Sequence, residues 1–340
     1  MNRAASTEPE AGRAAHKQPA PPSGRRGSSR QTGSAVSRTG DRVMRTLSTG
    51  SGLLVSVVIG LIAIFLLIQA IPALAENTAN FFTFQGPWTT SGELAFGIPR
   101  QFYATVLVSV IALIIAMPVS LGIALFVSEY APKRLAAPIA YVVDLLAAIP
   151  SIVYGLWGIL VLGPAMTGPN QWLVDNLGFL PFFARPENAA NMSTGGTVLT
   201  AGIVLAVMIL PVITAVTREV FAQTPHGHRE AALALGASQW EVIRFAVLPF
   251  GFSGYISGSM LGLGRALGET MALMLIISTA GPINFNLLES GETFATIIAN
   301  NAAEFDDPLK TGAYISAGLV LFALTFIVNA AARAVIARKA

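Results

Sequence analysis

The sequence predicts an all-α integral membrane protein with six transmembrane helices. Composition is the first observation. Of 340 residues, 53% are hydrophobic and only 11% charged, with a mean hydropathy of +0.63, whereas soluble domains carry about a quarter charged residues. The second is length: six segments, 50–74, 103–128, 136–163, 197–217, 252–280 and 312–334, reach the roughly 20 mostly apolar residues that cross a bilayer as helix. The third is charge. The N-terminus, the 129–135 loop, the 218–250 segment and the C-terminus hold 17 Lys and Arg, counting Arg333 at the end of the last span, and the other connections hold three, Arg100, Arg185 and Lys310. The positive-inside rule makes the first set cytoplasmic. Both termini then lie inside, in a multi-pass protein of the cell membrane.

Residues 1–45 are expected to form a disordered basic cytoplasmic tail, and 46–340 the transmembrane domain. Nine of the 21 Lys and Arg fall in the first 45 residues. Residues 1–42 are rich in Ser, Gly, Pro, Ala and Arg and have almost none of the large apolar side chains that offset chain entropy. Such a run suits a solvated tail beside anionic lipid better than a nucleic-acid partner. In the first span Ala73-Leu74-Ala75 resembles a signal cleavage site. The apolar stretch from Leu53 to Ile71 is longer than the roughly 7–15 residues of a signal core, so this span is expected to be retained. There is no cysteine, which excludes disulfides, thiolate catalysis and Cys-ligated metal.

Spans two, three and four contain Pro118, Pro150 and Pro211. Proline removes a backbone donor and kinks a helix, and neighbouring helices absorb the defect in membranes. Ordinary bundle packing and kinks beside a translocation path both account for them. The connections assigned outside carry nine acidic residues, including Glu304, Asp306 and Asp307. That surface is net negative, which argues against gathering a free anion from solution and leaves room for a delivered one.

Between spans four and five lies a charged segment, 218–250, with clear helix punctuation. Thr224 is the expected N-cap, with Pro225 at the first helical position. A helix over 225–235 should stop at Gly236, which accepts a left-handed conformation. Ser238-Gln239-Trp240-Glu241 reads as a capping box opening a second helix, with Pro249 marking its end or a bend before span five. Ala231, Ala232 and Ala234 keep the first helix narrow, as helix-in-groove docking requires. A helix lying on lipid would carry cations and large apolar residues; the alanines and scarce cations here favour docking.

Span five holds Gly254, Gly258 and Gly262 at four-residue spacing, a face that lets helices approach closely in lipid. Arg265 and Glu269 continue nearly that face and are spaced to pair. Charge at mid-membrane costs about 2.5–3.5 kcal/mol or more on insertion scales. Two readings stand: a self-satisfied Arg265–Glu269 bridge, or a polar element of the substrate path whose arginine meets an anion. Asp144 in span three is a weaker pathway candidate that could equally snorkel or pair. Nothing reads as a nucleophile, a metal site or an acid/base pair, and His226 and His228 fit solvated positions. A phosphate-cradling loop needs Gly-Lys followed by Ser or Thr, and Gly-Lys occurs nowhere. Gly262, Gly264 and Gly268 miss the dinucleotide fingerprint by one residue and lie in a span, so no cofactor is expected in this chain.

EAALALGASQWEVIRFAVLP (230–249) resembles the EAA loop of binding-protein-dependent ABC importers, with Glu-Ala-Ala, a glycine and a late Leu-Pro at the family spacing. LGLGRALGETMAL (261–273), DLLAAIPSIVYGLWG (144–158) and VSEYAP (127–132) resemble the PstC family of phosphate permeases. The resemblance covers roughly 50–335; no motif covers the tail or the 165–195 connection. It implies the MetI-like fold of type I ABC importer permeases. It implies a coupling helix in which Glu230, Ala231, Ala232 and Gly236 seat in a cleft of an ATPase subunit. The partners implied are a second, PstA-like permease, a PstB-like ATPase dimer that binds ATP and Mg, and an extracytoplasmic PstS-like phosphate-binding protein. The alternatives are a permease for another oxyanion, such as sulfate or molybdate, and an ion-driven secondary transporter. The latter would need intramembrane carboxylates, of which only Asp144 and Glu269 are available, and would leave the EAA segment without purpose.

Overall fold

The computed structural model describes residues 38–337, apart from 91, 278–280 and 282. Residues 1–37 of the expected tail lie outside the described residues. Residues 38–45, also assigned to that tail, already belong to the first helix, α1 (Arg38–Ala75). The chain divides into two units, Met1–Ser56 and Val57–Ala340. In the first, the described part is the exposed opening of α1.

In the second unit α1 continues to Ala75 and is followed by α2 (Pro99–Leu125), α3 (Lys133–Ala148), α4 (Ser151–Trp157), α5 (Gly163–Leu177), α6 (Ala189–Thr194) and α7 (Val198–Ala222). Next come α8 (His226–Ala234), α9 (Gln239–Val242), α10 (Leu248–Leu267), α11 (Met271–Ile276), α12 (Phe294–Asn300) and α13 (Pro308–Ala337). Six helical runs are long and apolar enough to cross a membrane: Gly40–Ala75, Pro99–Tyr130, Ser151–Leu177, Ala190–Ala222, Gln239–Leu267 and Pro308–Ala334.

Two spans are displaced from the boundaries that hydropathy suggests, whereas the other four contain the predicted segments and extend beyond them, the first from Gly40. The stretch 136–163 is cut at Pro150. Ile149 takes ψ of 131°, the extended conformation that a following proline ring imposes. The third span therefore runs from Ser151 to Leu177 and absorbs the first part of the 165–195 connection. Span five begins earlier, at Gln239, and ends at Leu267 instead of 280, because the chain leaves helical geometry at Gly268. Pro118 and Pro211 stay inside unbroken helices.

Three wide π turns lie at 126–130, 158–162 and 243–247. The turn at 126–130 closes its helix, since Ala131 and Pro132 are extended. The other two share a cause, for the helix runs on through Pro164 and Pro249, each two residues past the turn. A proline ring collides with the carbonyl four residues back, and in both cases that carbonyl lies inside the wide turn, whose i→i+5 bonding relieves the clash. Pro249 therefore neither ends the helix nor breaks it: α9 runs on through the wide turn into α10.

The core forms around α7. Val204, Leu205, Met208, Ile209 and Ile213 are all but fully buried, which suits a helix that is apolar on every face. Val108, Ile111, Ala112 and Ala116 of α2 pack against it. From the other side comes the glycine face of α10. A methyl at Gly251 would sit 2.2 Å from Cδ1 of Phe221, one at Gly254 2.4 Å from Cγ2 of Val220, and one at Gly262 2.8 Å from Cγ1 of Ile213. Close backbone approach is what the small residues provide, as their spacing predicted.

Candidate functional site

The 218–250 segment is held by its backbone ends. α8 starts one residue later than predicted: Pro225 is extended (ψ 131°) and occupies the N-cap without a side-chain bond. Thr224, the predicted cap, is buried and its hydroxyl has no hydrogen-bond partner. The stop is as expected. Gly236 has φ of 83°; its N–H donates to Leu233 O at 2.9 Å, and that of Ala237 to Ala232 O at 3.1 Å. This pair of bonds is a Schellman cap. The capping box forms too, with Ser238 N–H donating to Glu241 Oε2 at 2.7 Å and Glu241 N–H to Ser238 Oγ at 3.4 Å.

No residue of α8 is buried. Glu230, Ala231 and Gly236 are exposed and Ala232 is half-buried. Leu233, Leu235, Trp240 and Phe245 are exposed beside them, Leu235 at 90%. The two short helices thus present an apolar surface flanked by Glu230, with the narrow alanine face that close docking needs.

What ties α8 to the bundle was not visible in the sequence. Arg229 Nη2 donates to the carbonyl of Phe221 at 2.8 Å and lies 2.9 Å from Glu129 Oε1. Glu129 belongs to the VSEYAP stretch at the end of the second span, and its side chain is 3% exposed against 22% for Arg229. The contact is close but poorly aligned, since Glu129 Oε1 and Arg229 Nε both lack a hydrogen-bond partner. It acts as an ion pair. The only signal in the sequence is a carboxylate just past a span and an arginine beside Glu230, which enters the sequence reading only as one of the topology cations.

Arg265 and Glu269 do not form the bridge their spacing allows: no ion pair or hydrogen bond joins Arg265 to another described residue. α10 stops at Leu267 and Gly268 turns the chain, so the helical register that would bring positions four apart together is lost. Glu269, nearly buried, instead caps the next helix, accepting from the N–H of Ala272 at 3.1 Å. Arg265 is half-buried, and its charge reaches the hydroxyl of Tyr154 on α4, which donates to Leu146 O at 2.8 Å. Asp144 lies elsewhere. It is half exposed on α3 and pairs with Arg218 at 3.5 Å, at the same end of α7 as the 218–250 segment.

Residues 120–340 match the family described as binding-protein-dependent transport system inner membrane component. A relative from Mycobacterium bovis, named phosphate transport system permease protein PstC 2, is 52% identical over 89% of this chain and 93% of its own length. One from Mycobacterium leprae, named phosphate transport system permease protein PstC, is 51% identical over 89% and 95%. The chain belongs to this permease family, in its PstC branch. As a PstC-family member it is a transport permease and not an enzyme. The likeness extends to the fold: a chain of the inward-facing MetNI methionine ABC transporter matches with a TM-score of 0.51 at 15% identity, covering 71% of this chain and 95% of that one. The permease has the MetI-like architecture of six membrane helices that the EAA segment implied.

Proposed function

We propose that this chain forms one half of the translocation path of an ATP-driven phosphate importer, with a second permease forming the other half. The observation that carries the reading is the 52% identity to phosphate permeases along nearly the whole chain. The charge asymmetry supports a cytoplasmic position for both termini and for the 218–250 segment. That segment would seat in a cleft of an ATPase dimer through Glu230, Ala231, Ala232 and the turn at Gly236. ATP and Mg would be held by that dimer, and phosphate delivered by an extracytoplasmic binding protein. A pathway role for Arg265 is supported by its half-buried position without a described partner; Glu269 then positions the chain beyond Gly268. Asp144 fits an anchoring role better than a pathway one, because Arg218 occupies it.

The test is radiolabelled phosphate and sulfate uptake by cells lacking their own phosphate importer and expressing this chain with its partner subunits. Phosphate uptake that depends on ATP and on this chain is expected. Sulfate or molybdate uptake in its place overturns the substrate assignment. ATP-independent uptake driven by an ion gradient overturns the importer class.

A further inference from the structure

The end of α2 remote from α8 carries a second polar cluster. A cavity of about 460 Å³ is lined there by Trp88, Thr89, Arg100, Gln101, Glu292 and Asn301, among others. Two of these groups are unsatisfied. Gln101 is 2% exposed and its Oε1 has no hydrogen-bond partner. Arg100 Nε is buried with no partner either, and Arg100 forms no ion pair among the described residues. Native proteins leave few such atoms unmet, because each forfeits its hydration without return.

Gln101 neighbours the Glu292 carboxyl, which accepts from Asn300 Nδ2 at 3.5 Å. The amide oxygen of Gln101 is the end left unmet. Burial pushes the Glu292 carboxyl above its ordinary range, with the two amides pulling the other way.

The unmet atoms define a ligand. Arg100 Nε–H needs an acceptor, and its guanidinium lacks a described counter-charge. Gln101 Oε1 needs a donor. One small group that supplies both is an oxyanion that still carries a proton. Monohydrogen and dihydrogen phosphate have anionic oxygens and an O–H. Sulfate at neutral pH has acceptors only and would leave Gln101 unmet. A water meets the hydrogen bonds but brings no charge to Arg100. We propose that this cavity is a staging site for protonated phosphate, held by Arg100 and Gln101. It rests on the reading of the chain as a phosphate permease, under which this end faces the side from which substrate arrives.

The experiment uses the assembled transporter in nanodiscs, without binding protein, and measures equilibrium binding of radiolabelled inorganic phosphate with excess sulfate as competitor. Saturable binding that sulfate does not displace is expected. Arg100→Lys keeps the charge, and so the assembly, but lacks the Nε–H, and should weaken binding by about tenfold, the worth of one charge-assisted hydrogen bond. Gln101→Leu should weaken phosphate binding and let sulfate compete. Phosphate binding unchanged in both variants overturns the site, and if uptake persists the permease reading survives that failure. Loss of binding-protein docking in Arg100→Lys, with phosphate binding intact, also overturns it and makes this cluster a protein-docking surface. Sulfate uptake by the wild-type importer would instead sink the substrate reading on which the site rests.

Discussion

Replacing Arg229 by leucine should release α8 without unfolding the bundle. α8 buries no side chain, so Arg229 is its main side-chain attachment, through Phe221 O at 2.8 Å and Glu129 at 2.9 Å. Removing one partner of a buried ion pair costs about 3–5 kcal/mol, because the other charge is left in a poor solvent. The two deletions are unequal. Arg229→Leu strands Glu129, whose side chain is 3% exposed, so its cost should lie towards the upper end. Glu129→Gln strands Arg229, which is 22% exposed and keeps its bond to Phe221, so its cost should be smaller. Even about 3 kcal/mol shifts a docked–undocked equilibrium by roughly a hundredfold. Replacing both residues by leucine leaves no orphan charge and should recover most of the loss. The assay is hydrogen exchange across 226–237 in the assembled transporter, with the ratio of ATP hydrolysed to phosphate taken up measured in parallel. Faster exchange and a raised ratio are expected in Arg229→Leu, with partial return in the double variant. Exchange in Arg229→Leu equal to wild type, or a double variant no better than the single, would refute the anchoring role of the pair.

Gly236→Val meets no atom within 4 Å but must hold φ of 83°, so its cost is backbone alone, about 1–2 kcal/mol; insertion should be normal while ATPase association and phosphate uptake fall. Gly254→Val, by contrast, overpacks against Val220 and should cost about 1–3 kcal/mol of bundle stability, read as a lower unfolding temperature in detergent. Arg265→Leu together with Glu269→Gln, which keeps an acceptor for Ala272 N–H, should assemble at wild-type levels yet abolish uptake; near-normal uptake would reduce Arg265 to a packing residue. Glu292 has its folded pKa raised by burial, so the stability it permits at low pH is lost as pH rises from its unfolded pKa through its folded one; Glu292→Gln should flatten thermal stability across that window, and an unchanged pH profile would show the carboxyl to be unperturbed.

What could be read from the sequence, and what could not, divides by the distance over which the causes act. Caps, turns and glycine spacing act within one turn of helix, so the Schellman stop at Gly236, the Ser238 box and the α10 face against α7 were legible in full. Hydropathy averages over a span, and it ran across Pro150 and Gly268, the two points where local backbone preference overrides apolarity. That one error had a chemical consequence. The four-residue spacing of Arg265 and Glu269 implies a pair only while the helix continues; once Gly268 turns the chain, Glu269 serves α11 and Arg265 is left with no described partner. The ion pair between Glu129 and Arg229 joins residues that only the fold brings together, and no periodicity could have announced it. Its position carries the physical argument for coupling. The α8 surface that would meet an ATPase is bound, through one buried charge, to the end of α2, and α2 is the helix that packs along α7 in the core. A force on α8 is therefore delivered to the main helix pair of the bundle, and not merely to a surface loop.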